Sequence, residues 1–197
     1  MPQLLYDFKL RFPKVNLIFT SAHSDEHATN CLLDGAIDVA FIMDTERQRS
    51  SLISTDLLNE KLLLVSSPNH PLVSKKKILV EELERETILF TEQGCSYRNL
   101  FEQLLYEHSI KPRTQLEFIS LEAIKKCVMA NLGITMLPEM VVSQEIRDKK
   151  LVSLNFSETL PLLTTKMAYH KDKWISPELR DFINMTKTYF HSLSTIS

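Results

Sequence analysis

The sequence predicts an α/β protein built as two lobes with a cleft between them. Three observations carry that prediction. Short apolar runs of strand length alternate with stretches whose apolar residues recur at helical spacing, from Leu4 to Phe190. The alternation falls into two series, separated by the polar, proline-marked stretch from Ser67 to Lys77, which reads as a connector. The chain has 197 residues, a length that suits one domain or two small lobes.

Each element has its own signal. Leu4, Leu5, Phe8 and Phe12 recur at helical spacing, so 3–12 reads as a helix stopped by Pro13. Val15 to Thr20 reads as a buried strand. Ser24 then acts as an N-cap, with Asp25 and Glu26 in the first turn, where acidic groups suit the helix dipole. That helix turns Ala28, Cys31 and Leu32 inward and ends at Gly35. Asp38 to Met43 is a second strand; the resulting β-α-β unit predicts a parallel pair. Lys61 to Ser67 is another strand. The second series runs strand 88–90, helix 97–108, strand 115–119, helix 121–132, strand 134–137, helix 138–147 and strand 151–154. Ser120 caps the helix bearing Leu121, Ile124, Val128 and Leu132; Gly133 ends it, and Pro138 opens the next as a first-turn proline. Thr164 to His170 is a strand. The last helix has Ser176 as cap, Pro177 and Glu178 in its first turn, and Leu179, Phe182, Ile183, Thr186 and Phe190 on one face. Tyr169 and Trp174 read as core residues.

Composition excludes several classes. The chain is 44% hydrophobic and 24% charged, ordinary for a soluble globular protein, and its net charge of -2 gives no nucleic-acid or membrane surface. Lys75-Lys76-Lys77 reads as a solvated loop. Three cysteines without a CxxC argue against a disulfide framework and a cysteine zinc site, and point to a reducing cytosol. The N-terminus has no signal-peptide pattern, and no apolar run approaches the ~20 residues that span a bilayer. Neither nucleotide motif, no GxSxG and no HExxH occurs, and no nucleophile–base set stands out, so an enzyme is not expected. His23, His27 and Cys31 recur every four residues. Three ligands on successive turns span ~12 Å, too long for one ion, so no metal or other cofactor is expected.

The candidate site lies where strands hand over to helices. All three glycines, Gly35, Gly94 and Gly133, stand at element boundaries, where positive φ or a tight turn is needed. Gly94 differs in its neighbours. Thr91, Cys95, Ser96 and Arg98 put hydroxyl, thiol and guanidinium groups beside the free N–H groups of a helix start, which suits a carboxylate, phosphate or sulfate. Equally, Ser96 could cap its own helix and Arg98 could point to water; the residues alone leave both readings open. Ligands gather beyond the carboxyl ends of strands in open α/β sheets. Here those places are Thr20 to Ser24, Met43 to Thr45, Thr91 to Arg98, and Ile119-Ser120. Cys95, at a helix N-terminus, could have a lowered pKa and form a redox pair with Cys127.

Several stretches together resemble the effector-binding domain of LysR-type transcriptional regulators over nearly the whole chain. They are LLYDFKLRFPKVNLIFT, LLDGAIDVAFI, LLNEKLLLVSSPNHPL and, most strongly, EFISLEAIKKCVMANLGITMLPEMVV. Asn131 stands where the family often has glycine, and asparagine tolerates the left-handed conformation. The resemblance implies a type-II periplasmic-binding-protein-like fold: two Rossmann-like lobes with a hinge and central cleft. Lobe I would be residues 1–67 and 166–197, and lobe II 68–165. It implies a small-molecule effector between the lobes, met by Ser21, His23, Ser24, Thr91, Cys95, Ser96 and Ser120. It further implies a homodimer or homotetramer, and DNA contact only through a helix-turn-helix that this chain does not contain, so a regulator truncated before its DNA reader is expected. A periplasmic-type solute-binding protein with the same fold is the alternative.

Overall fold

The structure, a computed structural model, describes residues 1–22, 24–44 and 50–194. Its elements in chain order are α1 (Pro2–Arg11), α2 (Asp25–Leu33), β1 (Ala40–Asp44), β2 (Leu52–Glu60), β3 (Leu62–Ser66), β4 (Thr87–Thr91), α3 (Ser96–Glu107), β5 (Thr114–Phe118), α4 (Leu121–Met129), β6 (Thr135–Pro138), α5 (Glu139–Arg147), β7 (Val152–Ser153), β8 (Leu163–His170) and α6 (Pro177–Ser194). Short 3-10 turns occupy Pro71–Ser74 and Val80–Arg85. The chain forms two compact units. Unit 1 gathers Met1–Ala22, Glu26–Asn59 and Thr164–Ser197; unit 2 gathers Glu60–Leu163 with residues 23–25.

Unit 1 is a sheet in the order β1-β8-β2. Successive strand residues face opposite sides, and the core follows from that. In β8, Ala168 packs with Ala28, Leu32 and Ala40, while its neighbour Met167 packs with Leu57, Ile183 and Phe190. The sheet thus carries α2 on one face and α6 on the other. α1 lies along α6: the Phe8 ring meets Phe182 edge-on at 5.2 Å, and Arg11 pairs with Asp181 at 2.9 Å.

Two expectations fail in this unit. Residues 15–20 form no strand, because among the described residues no strand ladders with them; Ile18 and Phe19 are exposed. The parallel pair expected from them is therefore absent, and β1 runs antiparallel to β8, with Ala40 opposite Ala168. β2 was not foreseen. Its Asp56, Asn59 and Glu60 are poor strand formers, and its pairing in the sheet overrides that propensity. Trp174 is exposed, whereas Tyr169 packs half-buried against the α6 cluster.

Unit 2 is built from two small sheets, β6-β3-β7 and β4-β5. β4 and β5 are parallel, in register from Thr87–Thr114 to Thr91–Phe118, with α3 as the crossover between them. Its core joins Leu64, Ile88, Phe90, Phe101, Leu105, Ile134 and Met136. The polar connector is partly internal: Leu72 is buried in its 3-10 turn, and His70 Nδ1 accepts from Leu72 N–H, while Lys75 to Lys77 are exposed. After α4, the left-handed position is Asn131, at φ 63°, and Leu132 lies past the helix end, half exposed rather than on the inward stripe. Gly133 has a different reason from the one expected. A Cβ there would stand 2.2 Å from Thr87 O, so the residue is glycine because β4 passes directly against it.

Candidate functional site

The β4–α3 turn begins from ordinary strand chemistry. Ile88, Leu89 and Phe90 are buried and fix β4, which delivers Thr91 to its carboxyl end. Gly94 then reverses the chain at φ 90°, a conformation that costs other residues a steric clash. Cys95 follows as the N-cap of α3 in extended conformation, without a side-chain cap bond, and no acidic residue occupies the first turn. The residues of this 12-residue helix thus supply no cap and no acidic group to its start.

Thr91 is the buried hydroxyl of the site. It is 3% exposed, and its Oγ1 has no partner at hydrogen-bond geometry, although it lies near enough to the Cys95 thiol and the Tyr97 hydroxyl to influence both. A buried polar atom without a bond costs ~1–3 kcal/mol. Burial pushes the Cys95 thiol above its ordinary value, and the neighbouring Thr91 and Tyr97 hydroxyls only partly offset it. The lowered thiol pKa expected from the helix N-terminus is therefore overturned: desolvation outweighs the helix end. Burial also raises the Tyr97 hydroxyl, with Cys95 adding to the effect. All three cysteines are free thiols.

Arg98 neither faces an anion nor points to water. It is buried, bonds Glu102 at 2.8 Å and Glu117 at 2.7 Å, donates to Thr91 O, and lies 5.3 Å from the Phe90 ring centroid. Its charge fastens α3 to β5. Ser96 is the first residue of α3 and donates to the Asp25 carboxylate, which groups with unit 2.

Ser120 joins this place through the sheet. It stands two residues past Phe118, the partner of Thr91 in the parallel ladder, so Thr91, Cys95, Ser96 and Ser120 share the carboxyl edge of β4-β5. Ser120 is exposed and caps α4 by accepting from Ala123 N–H at 3.3 Å. Ser21 is exposed and belongs to no element; Ser24 is half-buried just before α2; His23 lies outside the described residues. Asp25, Tyr97 and Glu117 were not foreseen. The four-residue spacing of Arg98 and Glu102 was a visible ion-pair signal; Glu117 arrives through strand pairing, which spacing does not encode.

The chain matches the family described as LysR substrate binding domain over residues 1–190. It is 42% identical over 190 residues to the HTH-type transcriptional regulator YwqM of Bacillus subtilis, an alignment that covers 96% of this chain and 64% of YwqM. The chain thus spans less than two thirds of that relative. The regulatory domain of CcmR from Synechocystis PCC6803, in complex with 2-PG, superposes with a TM-score of 0.83 at 22% identity, covering 96% of this chain and 90% of that one. The bromide-bound regulatory domain of HypT from Salmonella typhimurium gives 0.77 at 20% identity, covering 96% and 89%. The fold is the type-II periplasmic-binding-protein-like fold of these domains, and the matches are to regulators rather than transport proteins. On its residues and its fold alike, this chain belongs to the LysR substrate-binding domain family.

Proposed function

We propose that this chain is the effector-sensing part of a cytoplasmic, non-enzymatic LysR-type regulator, and that its effector is a small organic anion. The observation that carries the reading is the buried Thr91 hydroxyl, which makes no hydrogen bond and stands beside an α3 start whose own residues supply neither cap nor acidic side chain, with the Asp25 carboxylate held at Ser96. A carboxylate or phosphate there would accept from the helix N–H groups and from Thr91, removing the cost of the unsatisfied oxygen. Ser96, Cys95 and Ser120 border the same sheet edge, and Ser21, His23 and Ser24 are the remaining proposed contacts.

The effector acts by binding one arrangement of the domain more tightly than another, which shifts their populations. Exposed Ile18, Phe19 and Tyr106 suit a homodimer or homotetramer, whose geometry would pass the shift to DNA through a helix-turn-helix carried by the longer protein.

A thermal-shift screen of small organic acids against their neutral amides tests the reading, since a ligand of the native state raises Tm by mass action. Thr91→Val and Ser96→Ala should each weaken the acid that responds by roughly 10- to 150-fold, the worth of one hydrogen bond to a charge. If affinity is unchanged in both variants and in Ser120→Ala, the ligand sits elsewhere.

A further inference from the structure

Another feature, unrelated to the proposed effector, lies on α2. Ala28, Thr29 and Leu32 are buried and anchor the helix. His27 is exposed and Cys31 half-buried, one turn apart, where side chains four residues apart come onto one face. His27 Nε2 and Cys31 Sγ are 3.6 Å apart. Without a metal this contact is a hydrogen bond whose donor depends on the imidazole tautomer. The same spacing has a second meaning. Two atoms bound to one tetrahedral cation, at ~2.3 Å for sulfur and ~2.1 Å for nitrogen, stand about 3.6 Å from each other. The pair is already at the bite of such an ion, on a helical backbone that holds both Cβ positions.

We infer that His27 and Cys31 bind a tetrahedral divalent cation of the zinc class, the ion taking the place of the proton the two side chains share. Water or an external ligand fills the other two positions, because among the described residues no group of three or more His, Cys, Asp and Glu gathers. The length that rules out one ion across three successive turns does not apply to two adjacent ones. A site with two protein ligands is exchangeable, and it responds to metal concentration instead of holding the fold together. Binding needs a neutral imidazole and a thiolate, so it releases a proton and strengthens as pH rises.

Cobalt(II) alone is the probe, titrated into the reduced, metal-free chain. The expected result is a thiolate-to-cobalt charge-transfer band in the near ultraviolet, saturating at about one equivalent per chain and abolished by excess zinc. Cys31→Ser should remove the band, and His27→Gln should weaken binding on the order of tenfold or more. The Cys95→Ser, Cys127→Ser double variant should keep it. No band in the parent chain, a band that survives Cys31→Ser, or an unchanged affinity in His27→Gln overturns the inference. The double variant leaves α2 untouched, so its loss of the band would equally show that another thiol is the ligand.

Discussion

Arg98 shows how one side chain can look functional in sequence and be structural in the fold. Its guanidinium joins α3 to Glu117 of β5, while the two carboxylates keep side-chain exposures of 44% and 50%. Those carboxylates regain water if the arginine is lost, so the cost stays below that of stranding a buried charge. Arg98→Ala should destabilise by about 2 kcal/mol, from the charged hydrogen bonds and the lost cover on Phe90. Arg98→Met, which keeps the stem, should cost less; urea denaturation of both compares them. Glu60 poses the opposite case. Its carboxyl is 3% exposed, and Oε1 has no partner. Burial raises it above its ordinary 4.5; a bond from Met140 N–H opposes this, and Glu139 adds repulsion. The folded protein therefore holds this proton more tightly than the unfolded chain does. The contribution to stability is full below pH 4.5 and declines as pH rises through the raised value. Glu60→Gln should remove that slope and raise Tm at pH 8 relative to the parent, as measured by melting across pH 4–8. Nothing in the sequence around Glu60 signals burial, because its surroundings are set by α5, far along the chain.

At the scale of elements, helices were legible, while in one sheet a strand was expected that is not there and another was missed. α3, α4 and α6 follow apolar spacing, and Ser120 and Ser176 cap where expected, accepting from Ala123 and Leu179 N–H. A helix satisfies its backbone internally, so its residues suffice to announce it. A strand needs a neighbour that sequence does not name. That is why 15–20, mostly apolar, is no strand, while the more polar stretch Leu52–Glu60 is one. Of the candidate site, the β4–α3 turn and Ser120 were legible from turn chemistry, but the register that aligns them was not. Gly133 belongs to this scale as well, since it sets how closely the end of α4 approaches β4. Gly133→Ala would press a methyl onto a backbone oxygen that cannot move alone. It should cost about 3 kcal/mol, at the upper end for overpacking, read from the denaturation midpoint.

For the whole molecule, family segments spread along the chain made the fold readable where local propensity failed, since they carry the order of elements without requiring each strand to be found. The two units differ in how they are threaded. Apart from residues 23–25, unit 2 takes an unbroken run, Glu60–Leu163, and carries its own apolar core. A fragment of those residues should fold alone, with a cooperative melt and dispersed amide resonances; a featureless melt would show that its core is insufficient. Unit 1 takes both ends of the chain, and its sheet order β1-β8-β2 sets the latest strand in the middle. β1 and β2 therefore have nothing to ladder with until β8 exists. During synthesis the first third of the polypeptide must wait, with Phe41 and Leu57 uncovered, while unit 2 leaves the ribosome and closes. A chain halted after Leu163 but before β8 is complete would have one finished half and one sticky half, the kind of species that chaperones retain.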